Sequence, residues 1–237
     1  DPHARHCVSS LPPEGAHPPW GGPAAGHDPH ARHCVSSLPP EGAHPGPAAG
    51  LMATKSTIFK ASLQIADIDH SYYADHSLTL ARHPSETDQR MMVRLCALAL
   101  QAHQLQSICA GDGTLAFGAG LSDPDEPDVW LRDFTGLTRL WIEVGQPEDK
   151  PLTKACNKSD SVLLYAFGQA ADIWWRAIES KLARLKSLQV WRIPSAEAQQ
   201  LTALAQRNMN LQATVQEGAL LLGDGTHHVH IEPLRWK

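Results

Sequence analysis

The chain has 237 residues, 42% of them hydrophobic, and a formal net charge of −5. That balance excludes a strongly basic field spread over the whole molecule, the usual mark of a nucleic-acid or membrane-surface protein, and leaves only a local basic patch open. Its longest apolar runs fall well short of the ~20 residues that a membrane span needs, so no membrane association is expected.

The first 51 residues stand apart. DPHARHCVSSLPPEGAHP at 1–18 recurs unchanged at 28–45. This stretch holds 11 of the 18 prolines and 7 of the 14 histidines, with too few large apolar residues to bury a core. Residues 1–51 read as a vector-derived or leader segment, with a natural disordered tail as the alternative. Residues 52–237, opening at Met52, read as a single domain with length for a full core. Cys96, Cys109 and Cys156 form no CxxC and are odd in number, which points to a reduced, cytoplasmic setting with all three as small buried hydrophobes. A monomer is expected.

Along that domain, Lys55–Asp69 alternates polar and apolar residues as a strand does, and Ser77–Ala81 reads as its antiparallel partner. Asp67, Asp69, His70 and Asp75 read as a polar loop. A helix then starts near Ser85, which can cap it, and runs to about His103, with Met91, Met92, Leu95, Leu98 and Ala99 as its core stripe. Glu86 falls in its first turn, where an acid complements the helix dipole or belongs to a site. Leu105–Leu121 is glycine-rich and reads as a flexible strand or loop, because no phosphate-loop lysine follows.

Glu126–Gly145, EPDVWLRDFTGLTRLWIEVG, reads as a β-hairpin turning at Asp133–Gly136. Its register brings Asp128 and Glu143 to the same end of the ribbon. Beyond it, Asp149-Lys150-Pro151 opens a helix carrying Lys154 and Lys158 on one face. Ser161–Phe167 reads as a buried central strand, Ala171–Lys186 as an amphipathic helix with a basic outer face, and Ser187–Ile193 as a strand. A short helix at Ser195–Gln206 and a terminal ribbon follow. The order predicts an α/β fold: a mixed central sheet flanked by helices, with antiparallel ribbons at the ends.

Two carboxylates at one end of an apolar ribbon are costly unless a cation or hydrogen bonds compensate them. Mg²⁺ is held by such pairs, and a nearby lysine then neutralises developing charge. The plainer alternative makes Asp128 a turn acid and pairs Glu143 with Arg132 or Arg139 across the strands. Arg82 and His83, beside Glu86, either contact a phosphate or orient that acid. His227, His228 and His230 lie close in sequence, but an exposed ribbon explains them without a metal.

Pro127-Asp128, a strand, and a second strand ending Ile-Glu-Val-Gly resemble the PD-(D/E)XK nuclease superfamily. LTLARHPSETDQRMMVRLCALAL, EPDVWLRD, LWIEVGQP and KAC together resemble the bacterial YaeQ family over nearly all of Ala53–Trp236. The resemblance implies a restriction-endonuclease-like variant of the fold. It implies Glu86, Asp128 and Glu143 as ligands of Mg²⁺, with Asp128 and Glu143 catalytic in phosphodiester hydrolysis of a nucleic acid. Gly145 stands where the superfamily's lysine is expected. Lys154 is the candidate for a migrated lysine, and Gln146 a weaker one. That departure sustains the alternative of a non-catalytic binding or regulatory protein on a nuclease-like scaffold.

Overall fold

The computed structural model describes residues 56–237 except 120, 122 and 124. The reading of residues 1–51 lies outside the described residues. Eleven strands and five helices are described, in the order β1 (Thr57–Asp67), β2 (Tyr72–Arg82), α1 (Asp88–Gln101), α2 (Gln104–Cys109), β3 (Gly113–Phe117), β4 (Val129–Asp133), β5 (Thr138–Val144) and α3 (Asp149–Lys158). Then come β6 (Ser161–Phe167), α4 (Ala171–Leu182), β7 (Leu188–Ile193), α5 (Ser195–Gln200), a 3-10 turn (Leu201–Leu204), β8 (Asn208–Gln216), β9 (Ala219–Gly223), β10 (His228–Ile231) and β11 (Leu234–Arg235).

The strands form two mixed sheets, which corrects the expectation of one central sheet. One runs β10-β9-β8-β1-β2 and the other β11-β7-β6-β5-β4-β3. The correction rests on one non-local pairing. β1 runs parallel to β8, with Lys60 opposite Asn208, so the terminal ribbon joins the first hairpin. In the second sheet β5, β6 and β7 are parallel, connected through α3 and α4.

Helix α1 lies in the core shared by both sheets. Every residue from Met91 to Leu100 is buried, and side chains of β1, β2, β8 and β9 meet those of β4, β5 and β6 around it. A helix apolar on every side belongs inside a core rather than at a surface. A second apolar cluster, including Trp141, Leu152, Leu164, Ile178 and Val190, seats α3 and α4 on the other face of the six-stranded sheet.

Three local expectations change. The cap of α1 is Thr87, whose hydroxyl accepts from the Arg90 amide at 3.2 Å, so Glu86 precedes the helix instead of lying in its first turn. Strand β2 begins at Tyr72 because the chain reverses tightly at Ser71, with φ of 54°, and keeps pairing with β1 to its end. The glycine-rich stretch holds a helix, α2, as well as strand β3.

Gly118 lets two segments touch. A Cβ there would lie 2.0 Å from the Pro127 carbonyl oxygen. Gly118→Ala is therefore expected to destabilise the protein by about 1–3 kcal/mol, as overpacking does. Urea unfolding measures this, and an unchanged midpoint would contradict the packing described.

Candidate functional site

The β4–β5 hairpin forms as its sequence suggests. Asp133 turns it, accepting from the Thr135 and Leu137 amides at 2.9 and 3.1 Å, and Val129 pairs with Ile142. That register sets Asp128 against the end of β5: its amide donates to the Ile142 carbonyl at 3.0 Å, and its Oδ2 accepts from the Val144 amide at 2.8 Å. Glu143 lies close enough to Asp128 for the two carboxyl groups to oppose each other's ionisation. Glu86 arrives from the segment before α1 and is buried with Asp128.

Two arginines occupy the space between these acids. Arg90 donates to Glu86 Oε1 at 2.7 Å and to both Asp128 oxygens at 2.8 and 2.9 Å. Arg94 is fully buried; it donates to both Glu86 oxygens at 3.1 and 3.3 Å, and its Nε lies 3.3 Å from Asp128 Oδ1. The Gly118 carbonyl, at 3.2 Å, takes another of its protons. Among the described residues, Glu86, Asp128 and Glu143 do not bring three carboxylate oxygens within 4.8 Å of one another. The arginines hold the acids as a bridged network. Sequence periodicity carries part of the signal: Arg90 and Arg94 are four apart on one face of α1, and Glu86 stands four residues before Arg90, just ahead of the cap.

Glu143 is the acid without a guanidinium bond among the described contacts. Its Oε1 accepts from Trp141 Nε1 at 2.8 Å. Burial, then the Asp128 charge, push its carboxyl up to about 7. Burial also raises Asp128 against the pull of Arg90 and Arg94. Desolvation works against the charge on Arg90, yet Asp128 and Glu86 outweigh it and hold that guanidinium above its ordinary value. Two guanidinium groups face three carboxyl groups, so one proton held by the Asp128–Glu143 pair makes the cluster neutral.

Lys154 sits on α3 with its Nζ 3.3 Å from Asp125, and it is largely exposed. No hydrogen bond or ion pair joins it to Glu86, Asp128 or Glu143 among the described residues. Lys158 reaches the same Asp125 at 3.8 Å and lies over the Trp141 ring. Gln146 donates to the Phe167 carbonyl at 2.7 Å. A Cβ on Gly145 would meet nothing within 4 Å, but its φ of +119° is a conformation that L side chains rarely adopt. Backbone shape rather than crowding accounts for the glycine. Arg82 pairs with Asp88, and His83 bonds Ser85. A groove of about 550 Å³ opens where β6 and β7 end, lined by Gln89, Gly168, Gln169, Ser195 and Gln199.

Of the four residues read as a polar loop, Asp69 and His70 do lie in the turn after β1, whereas Asp67 ends β1 and Asp75 lies within β2. Asp67 ends β1, His70 lies in the turn and His103 follows α1, and one ligand atom from each falls within 4.8 Å of the others. The three histidines near the C-terminus form no comparable group among the described residues.

Fold and site define a mixed α/β protein with two sheets, a helix buried between them and an acid–arginine network at one end of that helix. A sequence model described as YaeQ protein matches residues 52–233. The chain is 43% identical over 188 residues to the uncharacterized YaeQ protein of Salmonella typhi, covering 78% of this chain and 98% of the relative. The corresponding protein of Escherichia coli (strain K12) is 40% identical over the same length and shares. The crystal structure of YaeQ protein from Xanthomonas axonopodis pv. citri superposes with a TM-score of 0.70 at 42% identity, covering 77% of this chain and 98% of that one. That from Pseudomonas syringae gives 0.69 at 30% identity, covering 77% and 96%. The chain belongs to the YaeQ family. Among the described residues no helix is long and apolar enough to cross a membrane.

A carboxyl group raised by folding destabilises the native state once the unfolded chain ionises first. The folded protein keeps the Glu143 proton up to about pH 7, whereas the unfolded chain releases it near 4.5. Stability therefore falls as pH rises through that window, by up to about 3 kcal/mol. Glu143→Gln keeps the Trp141 bond and carries no charge. It is expected to match wild type at pH 4 and exceed it by about 1–3 kcal/mol at pH 8. Denaturant melts across that range check the slope; parallel curves for the two proteins would contradict the assignment.

Proposed function

We propose that the domain is a divergent PD-(D/E)XK-type, restriction-endonuclease-like scaffold, and that its acid cluster supports Mg²⁺-dependent hydrolysis of nucleic-acid phosphodiesters. The observation that carries this reading is the placement of Glu143 beside the buried Asp128, which Arg90 ties to Glu86 from a third segment. Membership of the YaeQ family and the match of the hairpin to the superfamily's motif support it.

The donor set fits a divalent cation in part. Asp128 and Glu143 are hard oxygen ligands of the kind Mg²⁺ takes with water and substrate phosphate. Bound there, the ion would lower the pKa of a water and offset charge on the phosphate. The protein's own contribution is clearer. Arg90 links Glu86 to Asp128, and β5 presents Glu143 beside them. Once deprotonated, Glu143 can take a proton from an attacking water. Asp128 must first give up part of its arginine contact, because its oxygens already accept from Arg90 and the Val144 amide. Lys154 serves as the migrated lysine only after leaving Asp125.

Those two requirements favour a second reading, a non-catalytic binding or regulatory protein that keeps the scaffold. Its supporting observation is the saturation of Asp128 together with a glycine at 145.

The test is cleavage of single- and double-stranded DNA and RNA by the full chain with Mg²⁺ or Mn²⁺. Hydrolysis is expected to require the ion and to fall at least about a hundredfold in Glu143→Gln, as for loss of a proton-transfer group. An inert wild type, or a Glu143→Gln protein that cleaves equally well, sinks the hydrolase reading. Retained binding of the same nucleic acids by an inert protein selects the second.

A further inference from the structure

Asp67, His70 and His103 share no residue with the acid–arginine network, and the reading above leaves them unused. Asp67 is wholly buried, and no lysine or arginine pairs with it among the described contacts. Its compensation comes from histidine. The His70 amide donates to Oδ1 at 2.9 Å, and His70 Nδ1 lies 2.9 Å from Oδ2. His103 Nδ1, itself buried, lies 3.3 Å from the same Oδ2, within ion-pair distance but short of good hydrogen-bond geometry. A buried polar atom so weakly satisfied has room for a better partner.

We propose that Asp67, His70 and His103 form a binding site for a late first-row divalent cation of the zinc class. Three protein ligands with water in the fourth position is a common zinc arrangement. A tetrahedral ion with bonds of about 2.0–2.2 Å separates its ligand atoms by roughly 3.4 Å. The His103 Nδ1–Asp67 Oδ2 separation of 3.3 Å matches that. Two imidazoles and one carboxylate select zinc, nickel or copper over Mg²⁺, which demands oxygen ligands.

One rearrangement is required. The two rings stack with centroids 3.6 Å apart and planes 2° from parallel, so an ion in the plane of one ring lies outside the plane of the other. Asp67 and His103 are fixed by burial, whereas the His70 side chain is half exposed on the turn before Ser71. His70 is the member that turns out of the stack to complete the site. The ion then ties the end of β1 to the end of α1, clamping the five-stranded sheet to the central helix.

The test uses the full chain and Zn²⁺, with Mg²⁺ as the control ion. Seven further histidines lie in the first 51 residues, so the readout is the difference between wild type and variants. Calorimetry is expected to count one fewer Zn²⁺ site in His103→Gln. His70→Ala, which keeps the backbone amide bond to Asp67, weakens that site at least about tenfold. Zn²⁺ raises the melting temperature of wild type, this rise shrinks in both variants, and Mg²⁺ gives none. Equal site counts, affinities and melting shifts in wild type, His70→Ala and His103→Gln overturn the proposal.

Discussion

Arg94 carries a full positive charge into the apolar core between two sheets, with no exposed surface. Desolvating such an ion costs several kcal/mol even after relaxation, and the cost is recovered only when its protons are shared out in good geometry. Glu86 meets the guanidinium in two contacts, Asp128 stands beside Nε, and the Gly118 and Ala81 carbonyls take further protons. These partners come from the end of β2, the approach to α1, the loop after β3 and the start of β4. The need to satisfy one buried cation therefore ties four chain segments to a helix that is otherwise apolar.

That dependence divides the acids by role. Glu86 and Asp128 counter Arg94 and Arg90 whether or not any chemistry follows, so their burial is explained by folding alone. Glu143 is different. Its burial is matched by a Trp141 hydrogen bond and a shared proton rather than by an arginine, and this raises its pKa where an ion-paired acid would be lowered. A group kept at a cost to stability, beside a second carboxyl, is what the proposed hydrolytic role would require. Gly145 fits the same division. With φ of +119°, a side chain there would add backbone strain of about 1–3 kcal/mol.

The parts legible in the sequence are those set by local rules. The β4–β5 hairpin depends on a turn and a two-residue period, so the meeting of Asp128 and Glu143 could be read directly. Strand β6 is bounded by its own apolar run between polar residues and a glycine. The two-sheet arrangement was not legible because it hangs on β1 pairing with β8 across most of the domain. In α1 the stripe of Met91, Leu95 and Leu98 is only part of the pattern: Val93, Cys96, Ala97 and Leu100 are apolar too. An all-round apolar run broken by Arg94 is the signal of a buried charge, and with it of an acid to be found elsewhere. Asp67 and His103 lie too far apart in sequence for spacing to join them.

Helix α1 also explains why polar clusters sit at both of its ends. Packing of apolar side chains is non-directional, and a helix apolar on every side can slide or rotate in its slot at modest cost. Directional bonds distinguish one setting from the others. Near the first turn, Arg90 and Arg94 engage fixed carboxylates on the loop before the helix and just ahead of β4. Just past the last turn, His103 meets Asp67 on β1, about 20 Å along the axis from Arg90 at 1.5 Å per residue. The first cluster refers the helix to the six-stranded sheet and the second refers it to the five-stranded sheet. Between them they set the position of α1 against both layers, and with it where Arg90 holds Asp128 relative to Glu143.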